Sequence, residues 1–238
     1  MTAFGNRQTG NRLLDQLPPD ELASLSKRME HQKLPLRETL LANRAPLQYA
    51  YFPLTNVLST IVVLRDGSAV EAAAIGNEGV AGVGLLVGER VSSYSLVQQV
   101  EGECLRVPAA HFQNMLRESP QLRTLVERYA FILLRQCAQN AACNARHDGS
   151  KRLSRWLLAC ADRAGRDEFD FTQDSLGVML GISRQSVSAV IQSLKQQALI
   201  SYSRRHLQIL DRSRLQQSAC ECYEVAVANY NELMQPAA

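Results

Sequence analysis

The stretch GISRQSVSAVIQSLKQQALI, residues Gly181 to Ile200, decides how the carboxyl-terminal third of this chain folds. It predicts a tight turn at the glycine, followed by a helix that Ser183 caps. Val187, Ile191 and Leu194 recur at helical spacing, so this helix has one buried face. Its first turn is crowded with hydrogen-bonding side chains, which a helix that only packs does not require.

A shorter helix precedes this one and completes a helix-turn-helix pattern. Thr172 is a good N-cap, and Asp174 in the first turn complements the helix dipole. Gly177 suits a close approach of the two helices, and Gly181 suits the left-handed conformation that turns the chain between them. In such motifs the amino-terminal end of the second helix enters the major groove of DNA.

The polar side chains at that end match the chemistry of DNA. Arg184 is suited to a guanine edge or a phosphate, and Gln185 to an adenine edge. Ser183 and Ser186 are suited to phosphate oxygens. We therefore predict a recognition helix from Ser183 to Lys195. The alternative, two helices that merely pack together, stays open at this point.

The next segment, LISYSRRHLQIL, has two short apolar-alternating runs around Arg204-Arg205-His206. This pattern predicts a hairpin with a basic tip, the wing of a winged helix-turn-helix. The predicted DNA-contacting residues are Thr172, Gln173, Ser183, Arg184, Gln185, Ser186, Ser188, Arg204 and Arg205.

Composition and charge agree with a DNA-binding segment attached to a different domain. The 238 residues suffice for two modest domains. Between Arg146 and Arg214 there are 12 Lys and Arg against 7 Asp and Glu, and the remainder is slightly acidic. A solvated surface would explain this excess almost as well.

No apolar run approaches the length of a membrane span, and the start of the sequence lacks the apolar core of a signal peptide. We therefore predict a cytoplasmic protein without membrane contact.

The amino-terminal half has the sequence pattern of a β domain. Two short helices broken at Pro18-Pro19 come first, and β-prone runs separated by turn signals fill Glu30 to Pro108. This spacing predicts an antiparallel sandwich or barrel. The glycine-dense run GNEGVAGVG fits tight turns there. An enzyme that cradles phosphate in this run is the alternative, but no P-loop or catalytic constellation accompanies it, so we predict a protein that is not an enzyme.

A long helix is predicted after Pro120. Its apolar and polar residues follow heptad spacing, which favours a homodimer seam. The predicted interface residues are Leu122, Val126, Tyr129, Leu133, Gln136 and Asn140. Burial of the same face within its own domain is the alternative. The segment RHDGS, residues 146–150, ends this helix as a hinge.

The six cysteines include no CxxC pair. Reduced thiols that pack as small apolar residues are the expectation. Cys220 and Cys222 could join Cys143 or His147 in a redox or metal site. A Cys-x-Cys pair on one helix would point its sulfurs to different faces, so we predict no metal site.

The order of these parts resembles the Crp/Fnr superfamily of bacterial transcription regulators. The motifs that carry the resemblance are FTQ at 171–173, LGISRQSVS at 180–188, LISYSRRHLQILD at 199–211 and YFPLTNVLSTIVVLRDGSAVEAAAIGNEG in the β-prone half. It implies an α+β fold: an amino-terminal antiparallel jelly roll of the cyclic-nucleotide-binding type over 1–119, a dimerisation helix over 120–146 and a winged helix-turn-helix over 147–238. It also implies a homodimer that binds a palindromic double-stranded DNA operator and controls RNA polymerase.

The chain departs from this family's ligand patterns. At the positions where cyclic-AMP-binding members have a Gly-Glu pair and an Arg before Ser or Thr, it has Gly82-Val83 and Ser93-Tyr94. Valine cannot accept a ribose hydrogen bond and serine carries no charge for the phosphate, so cyclic AMP is not expected. An iron-sulfur cluster is not expected either, because the first cysteine is Cys104. The cofactor is left unknown, and the predicted ligand-binding residues are Glu78, Gly79, Gly82 and Arg90.

Two further expectations follow from the resemblance. Ala189 stands where family members with a TGTGA-type half-site carry a second arginine, so the operator should differ from that sequence. A cyclic-nucleotide-binding module that acts on a protein partner is the alternative function, and the basic wing argues against it.

Overall fold

The computed structural model describes residues 9–234. Within them, short helices, a two-sheet β domain, a long helix and a helical domain with a small sheet follow one another along the chain. The predicted domains 1–119 and 147–238 begin and end outside the described residues. The α+β architecture predicted from the sequence is confirmed.

Seven antiparallel strands build the β domain. They are β1 Glu30–Leu34, β2 Thr39–Leu41, β3 Tyr49–Pro53, β4 Val57–Val63, β5 Ala69–Ile75, β6 Ser95–Val100 and β7 Gly102–Pro108. One sheet has the order β1-β7-β3 and the other β2-β6-β4-β5. The glycine-dense run turns the chain out of β5, and it ends in a 3-10 helix, Val83–Val87, that the sequence did not predict.

The remaining elements surround and follow this domain. A 3-10 helix, Leu14–Gln16, and α1 Pro19–Ser26 come first; α2 Ala109–Glu118, α3 Pro120–Arg146 and α4 Gly149–Ala164 follow the sheets. Strand β8 Glu168–Asp170, α5 Gln173–Leu180, α6 Arg184–Gln196, β9 Ile200–Ser203, β10 His206–Ile209, α7 Arg212–Ser218 and α8 Cys222–Met234 complete the described chain. No helix among residues 9–234 is long and apolar enough to cross a membrane.

The long helix α3 corrects the predicted dimer seam. Ser119 caps it by accepting a hydrogen bond from the Leu122 backbone N–H at 2.9 Å. Leu122, Val126 and Tyr129 are fully buried in the core of their own β domain, so they cannot also face a partner. Leu133 packs at the edge of that core. The heptad spacing identified an apolar face, and the β domain of the same chain covers it.

The two polar residues of the predicted seam are also used within the chain. Asn140 is buried, donates to the carbonyl of Ala72 at 2.9 Å and accepts from Arg155 at 2.9 Å. Gln136 lines a cavity beneath the helix. Neither side chain is therefore placed to set the register of a dimer.

The opposite face of α3 is open. Phe131 is 48% exposed and Leu134 is 61% exposed. Ala138, Ala141 and Ala145 continue this exposed row toward the carboxyl end at the same three- and four-residue spacing. We call these five residues the α3 outer stripe.

Helix α4 lies between the β domain and the carboxyl-terminal helices and is buried on most of its surface. Its residues share one apolar core with Val57, Ile61 and Val100 of the β domain and with Leu176 and Val187 of α5 and α6. The turn between α3 and α4 is only two residues long, and Asp148 caps α4 through the backbone N–H groups of Ser150 and Lys151. The predicted hinge is therefore a short turn between packed helices.

Candidate nucleic-acid interface

Helices α5 and α6 form the helix-turn-helix that the sequence predicted. Gly181 has φ of 60° and ends α5 in the left-handed conformation. A side chain at Gly177 would lie within 2.9 Å of the Ile182 carbonyl oxygen, which explains the glycine where the helices meet. Ser183 caps α6 by accepting from the Ser186 backbone N–H at 3.2 Å. The local sequence thus fixes both the turn and the start of α6.

The leading end of α6 faces solvent. Arg184, Gln185 and Ser186 are exposed, while Ser188 is half-buried. The Arg184 side chain is 69% exposed and lies 3.8 Å from the carboxylate of Asp174, a weak surface pair that leaves the guanidinium free to bind elsewhere. Val187, Ile191 and Leu194 are buried on the other face, as predicted. Bases or phosphates can therefore reach this end of the helix.

Thr172 and Gln173 begin α5 beside that end. The Thr172 hydroxyl accepts from the Ser175 backbone N–H at 3.1 Å, and the Ser175 hydroxyl accepts from the Thr172 backbone N–H at 3.1 Å. This capping box occupies the threonine side chain with a structural role. Gln173 is half-buried at the first position of α5.

The predicted wing is a three-stranded sheet with the order β8-β10-β9. Ser203 pairs with His206, so the hairpin turns through two residues, Arg204 and Arg205. Both have positive φ, 50° and 79°, which is the pattern of a type I′ turn. Such turns prefer Asn-Gly, and two arginines at these positions carry backbone strain. Both side chains are exposed at the tip of the wing.

One tyrosine shows that the wing and the recognition helix share a side of the molecule. Burial raises the pKa of Tyr202, and the positive charges of Arg205, Arg184 and Arg37 oppose that rise. Three guanidinium groups, from the wing, from α6 and from the β1–β2 turn, are therefore close enough for their charges to act on one tyrosine. Lys195 also reaches this region by donating to the Tyr202 carbonyl at 3.2 Å.

The sequence did not predict Arg37 as a member of this group. It lies in a turn of the β domain with φ of 68°, and its backbone N–H donates to Gln98. Only the packing of the β domain against the carboxyl-terminal helices brings it near Tyr202. No local pattern around Arg37 indicates that placement.

The predicted ligand residues are dispersed rather than joined in one cradle. Glu78 is buried and pairs with Arg163 of α4 at 2.8 Å, whereas Arg90 is exposed. A side chain at Gly79 would collide with the Tyr129 ring, and one at Gly82 would lie 3.2 Å from the Tyr49 carbonyl oxygen. These glycines have packing reasons of their own. Ligand binding by the four residues stays a prediction.

Glu78 borders a half-open cavity of about 390 Å³ that is lined mainly by α3, α4 and α8. Among the described residues, four buried polar atoms of its lining have no hydrogen-bond partner: Asn77 Oδ1, Gln136 Oε1, Arg155 Nε and Tyr230 Oη. Arg12 lies over the Tyr230 ring at 4.4 Å from its centre. Buried polar atoms are ordinarily paired, so this lining has unused capacity for a polar guest.

Comparison with known proteins agrees with this architecture. Residues 151–218 match the family model described as a Crp-like helix-turn-helix domain. No curated protein sequence matches the chain. Residues 151–218 therefore form a Crp-like helix-turn-helix domain.

Solved structures of Crp/Fnr regulators share the whole fold. FixK2 from Bradyrhizobium japonicum is 17% identical with a TM-score of 0.67, covering 81% of this chain and 98% of its own. CLP from Xanthomonas campestris, described as a c-di-GMP responsive global regulator, is 14% identical with a TM-score of 0.65, covering 82% and 100%. TTHB099 from Thermus thermophilus is 18% identical with a TM-score of 0.64, covering 79% and 96%. The described chain has the Crp/Fnr regulator fold.

The strained wing tip gives a prediction in which stability and DNA binding change in opposite directions. Replacing Arg204→Asn together with Arg205→Gly should raise the free energy of unfolding by about 1–2 kcal/mol, because Asn-Gly relieves the positive-φ strain. The same change should flatten the salt dependence of DNA binding by about 0.9 log unit for each phosphate that the wing no longer neutralises.

Denaturant unfolding and binding titrations at several salt concentrations measure the two effects. Arg204→Lys with Arg205→Lys is the matched control, since it keeps both charges and should keep the salt slope. If the Asn-Gly variant shows the same salt dependence of DNA binding as the parent chain, these arginines do not contact DNA.

Proposed function

We propose that this protein is a DNA-binding transcription regulator that acts as a homodimer on a palindromic operator. The leading end of α6 reads base edges in the major groove, and the wing contacts the phosphate backbone. As a binding protein rather than an enzyme, it acts by placing itself near RNA polymerase at its target promoters.

The observation that carries this proposal is the exposed group at the leading end of α6. Arg184, Gln185 and Ser186 face solvent there, while the apolar face of the same helix is fully buried. Arg184 and Arg205 are both close enough for their charges to act on Tyr202, so base readout and backbone contact can occur on one face of DNA. The Crp-like helix-turn-helix domain over 151–218 supports the same interpretation.

Base readout by Arg184 is tested by comparing cognate with random DNA. Arg184→Ala should weaken binding to the selected operator by about 1–3 kcal/mol, because the variant cannot make a bidentate contact to guanine. Binding to random DNA should weaken far less. Fluorescence anisotropy titrations at one salt concentration measure both affinities.

Arg117→Ala is the matched control for that experiment. Arg117 is an exposed arginine at the end of α2 in the β-domain half, so its loss removes the same charge away from the proposed interface. Equal losses on operator and random DNA in the Arg184 variant would contradict base readout and leave only phosphate contact.

For the homodimer, we propose that the α3 outer stripe replaces the seam predicted from the sequence. Phe131 and Leu134 are exposed apolar residues on a 27-residue helix, and the alanines beyond them allow a second helix to approach closely. Association along this row would bury large apolar side chains that the single chain leaves in water. The outer face of α3 is therefore the better candidate for the dimer axis.

Leu134→Glu should convert the dimer into a monomer, because dimerisation would bury a carboxylate without a partner. Sedimentation velocity measures the change directly. Gln121→Glu is the matched control, since it adds the same charge at an exposed position of α3 away from the stripe. A Leu134→Glu chain that stays dimeric at micromolar concentration would place the interface elsewhere.

We further propose that an effector acts through the cavity between α3, α4 and α8. Four unpartnered polar atoms and the nearby Arg163–Glu78 pair favour a polar molecule with hydrogen-bonding groups. One structural relative is described as c-di-GMP responsive, which makes cyclic nucleotides reasonable first probes. A guest here would contact both the dimerisation helix and the helix that leads to the DNA-binding domain.

Thermal shift with cyclic mononucleotides and dinucleotides tests this location. A compound that binds the cavity should raise the melting temperature of the parent chain and of Gln121→Leu, a surface variant of α3. The shift should disappear in Gln136→Leu, which removes one of the unpartnered oxygens. An equal shift in the Gln136 variant would locate the binding site outside the cavity.

A further inference from the structure

Four metal-ligating side chains meet at the point where α3, α7 and α8 come together. They are Cys143 on the last turn of α3, His147 just beyond it, Cys220 between α7 and α8, and Cys222 at the start of α8. Their ligand atoms all lie within 4.8 Å of one another. The three cysteines are buried and form an apolar cluster of their own, while the histidine is half-buried.

Two of the six distances between these atoms match a single tetrahedral ion, and the other four are no longer than 4.8 Å. Tetrahedral zinc, with bonds of about 2.3 Å to sulfur and 2.0–2.1 Å to nitrogen, requires ligand atoms about 3.5–3.8 Å apart. Cys143 Sγ lies 3.6 Å from Cys220 Sγ, and Cys222 Sγ lies 3.6 Å from His147 Nδ1. All six cysteines are free thiols, so these sulfurs are available as ligands.

The surroundings orient two of the four ligands, His147 and Cys222. His147 Nε2 lies 3.3 Å from the carboxylate of Glu221, which leaves Nδ1 directed toward the sulfurs. A carboxylate on the far nitrogen of a metal-binding histidine is a common supporting contact. Gln139 donates to Cys222 Sγ at 3.0 Å, as a supporting donor to a thiolate would.

A cationic side chain, Arg155 on α4, lies close enough for its charge to act on Cys143. Three thiolates and a divalent ion carry a net charge of −1, which the Arg155 guanidinium can balance. On binding, the thiols that lose protons release them to solvent.

We propose that Cys143, His147, Cys220 and Cys222 bind one zinc ion in a closed, structural site. Thiolate and imidazole ligands select zinc among the common divalent ions, and four protein ligands leave no open position for catalysis. The ion fastens the carboxyl end of α3 and the short α3–α4 turn to the α7–α8 junction. It would therefore stabilise the connection between the dimerisation helix and the DNA-binding domain.

This inference corrects the sequence-based argument against a metal site. That argument placed Cys220 and Cys222 on one helix with their sulfurs on different faces. In the structure α8 begins at Cys222 and Cys220 precedes it, so the backbone between them can aim both sulfurs inward. Cys143 and His147 are separated by one helical turn and face the same way.

Zinc content of the full-length reduced protein tests the proposal. After equilibration with zinc and removal of the excess by gel filtration, the parent chain should retain about one zinc per chain by elemental mass spectrometry. Cys143→Ser and Cys222→Ser should each retain far less. Cys137→Ser is the matched control, because Cys137 is an exposed cysteine of the same helix outside the cluster, and it should retain zinc like the parent.

A second measurement guards against variants that fail to fold. Cobalt added to the reduced parent chain should give the absorption bands of tetrahedral thiolate coordination, and Cys137→Ser should give the same spectrum. Zinc should raise the melting temperature of both, and the rise should be smaller in His147→Ala. Neither the metal measurements nor the melting temperatures depend on DNA binding. A negative result would therefore contradict the metal site and leave the proposed DNA-binding function unaffected.

Two results would overturn the proposal. One is a reduced parent chain that retains no more zinc than Cys143→Ser with Cys222→Ser and shows no thiolate–cobalt bands. The other is retention of about one zinc per chain by both the parent and that double variant, which would place the ion elsewhere. In the first case, a Cys143–Cys220 disulfide in the air-purified protein would identify a redox pair instead.

Discussion

The buried indole of Trp156 on α4 joins the two halves of this molecule. Its ring packs against Phe171 at the entrance to the helix-turn-helix, with ring centres 4.9 Å apart. Its N–H donates to the carboxylate of Glu71 in the β domain at 2.9 Å. Burial raises the pKa of Glu71, and hydrogen bonds from Ser59 and Trp156 oppose the rise. Separation of the halves would cost these contacts, about 1–3 kcal/mol for one unpaired buried group.

A second contact on α4 links the same halves at the cavity. Arg163 and Glu78 form a buried ion pair, and the Tyr129 hydroxyl of α3 lies 3.3 Å from the same carboxylate. Breaking a buried pair by displacing one partner is costly, so a guest in the cavity that competes for Glu78 would shift α4. Because α4 shares its core with α5 and α6, such a shift would move the recognition helix. The cavity and the recognition helix are therefore connected through a single helix, α4.

The sequence predicted the parts of this structure that local chemistry determines. Ser183 as a cap, Gly181 in the left-handed conformation and the buried Val187, Ile191 and Leu194 depend on neighbours within one or two turns. The dimer seam was wrong because heptad spacing shows that a face is apolar without showing what covers it. The proposed outer stripe does not stand out in the sequence, because only two of its five residues are large and apolar. The Cys143–His147–Cys220–Cys222 cluster could not be predicted without knowing that α8 begins at Cys222. The position of Arg37 near Tyr202 could not be predicted because it depends on the packing of elements that are distant in sequence.

Selection of bound sequences from a random DNA pool by the purified full-length protein tests the central claim most directly. If exposed side chains at the leading end of α6 read bases in a homodimer, the enriched sequences should contain two inverted half-sites whose centres lie about 10–10.5 base pairs apart. Those half-sites should differ from the TGTGA type, because the Ala189 side chain cannot pair with a guanine edge. A pool without sequence enrichment, or enrichment of a single asymmetric site, would contradict the account.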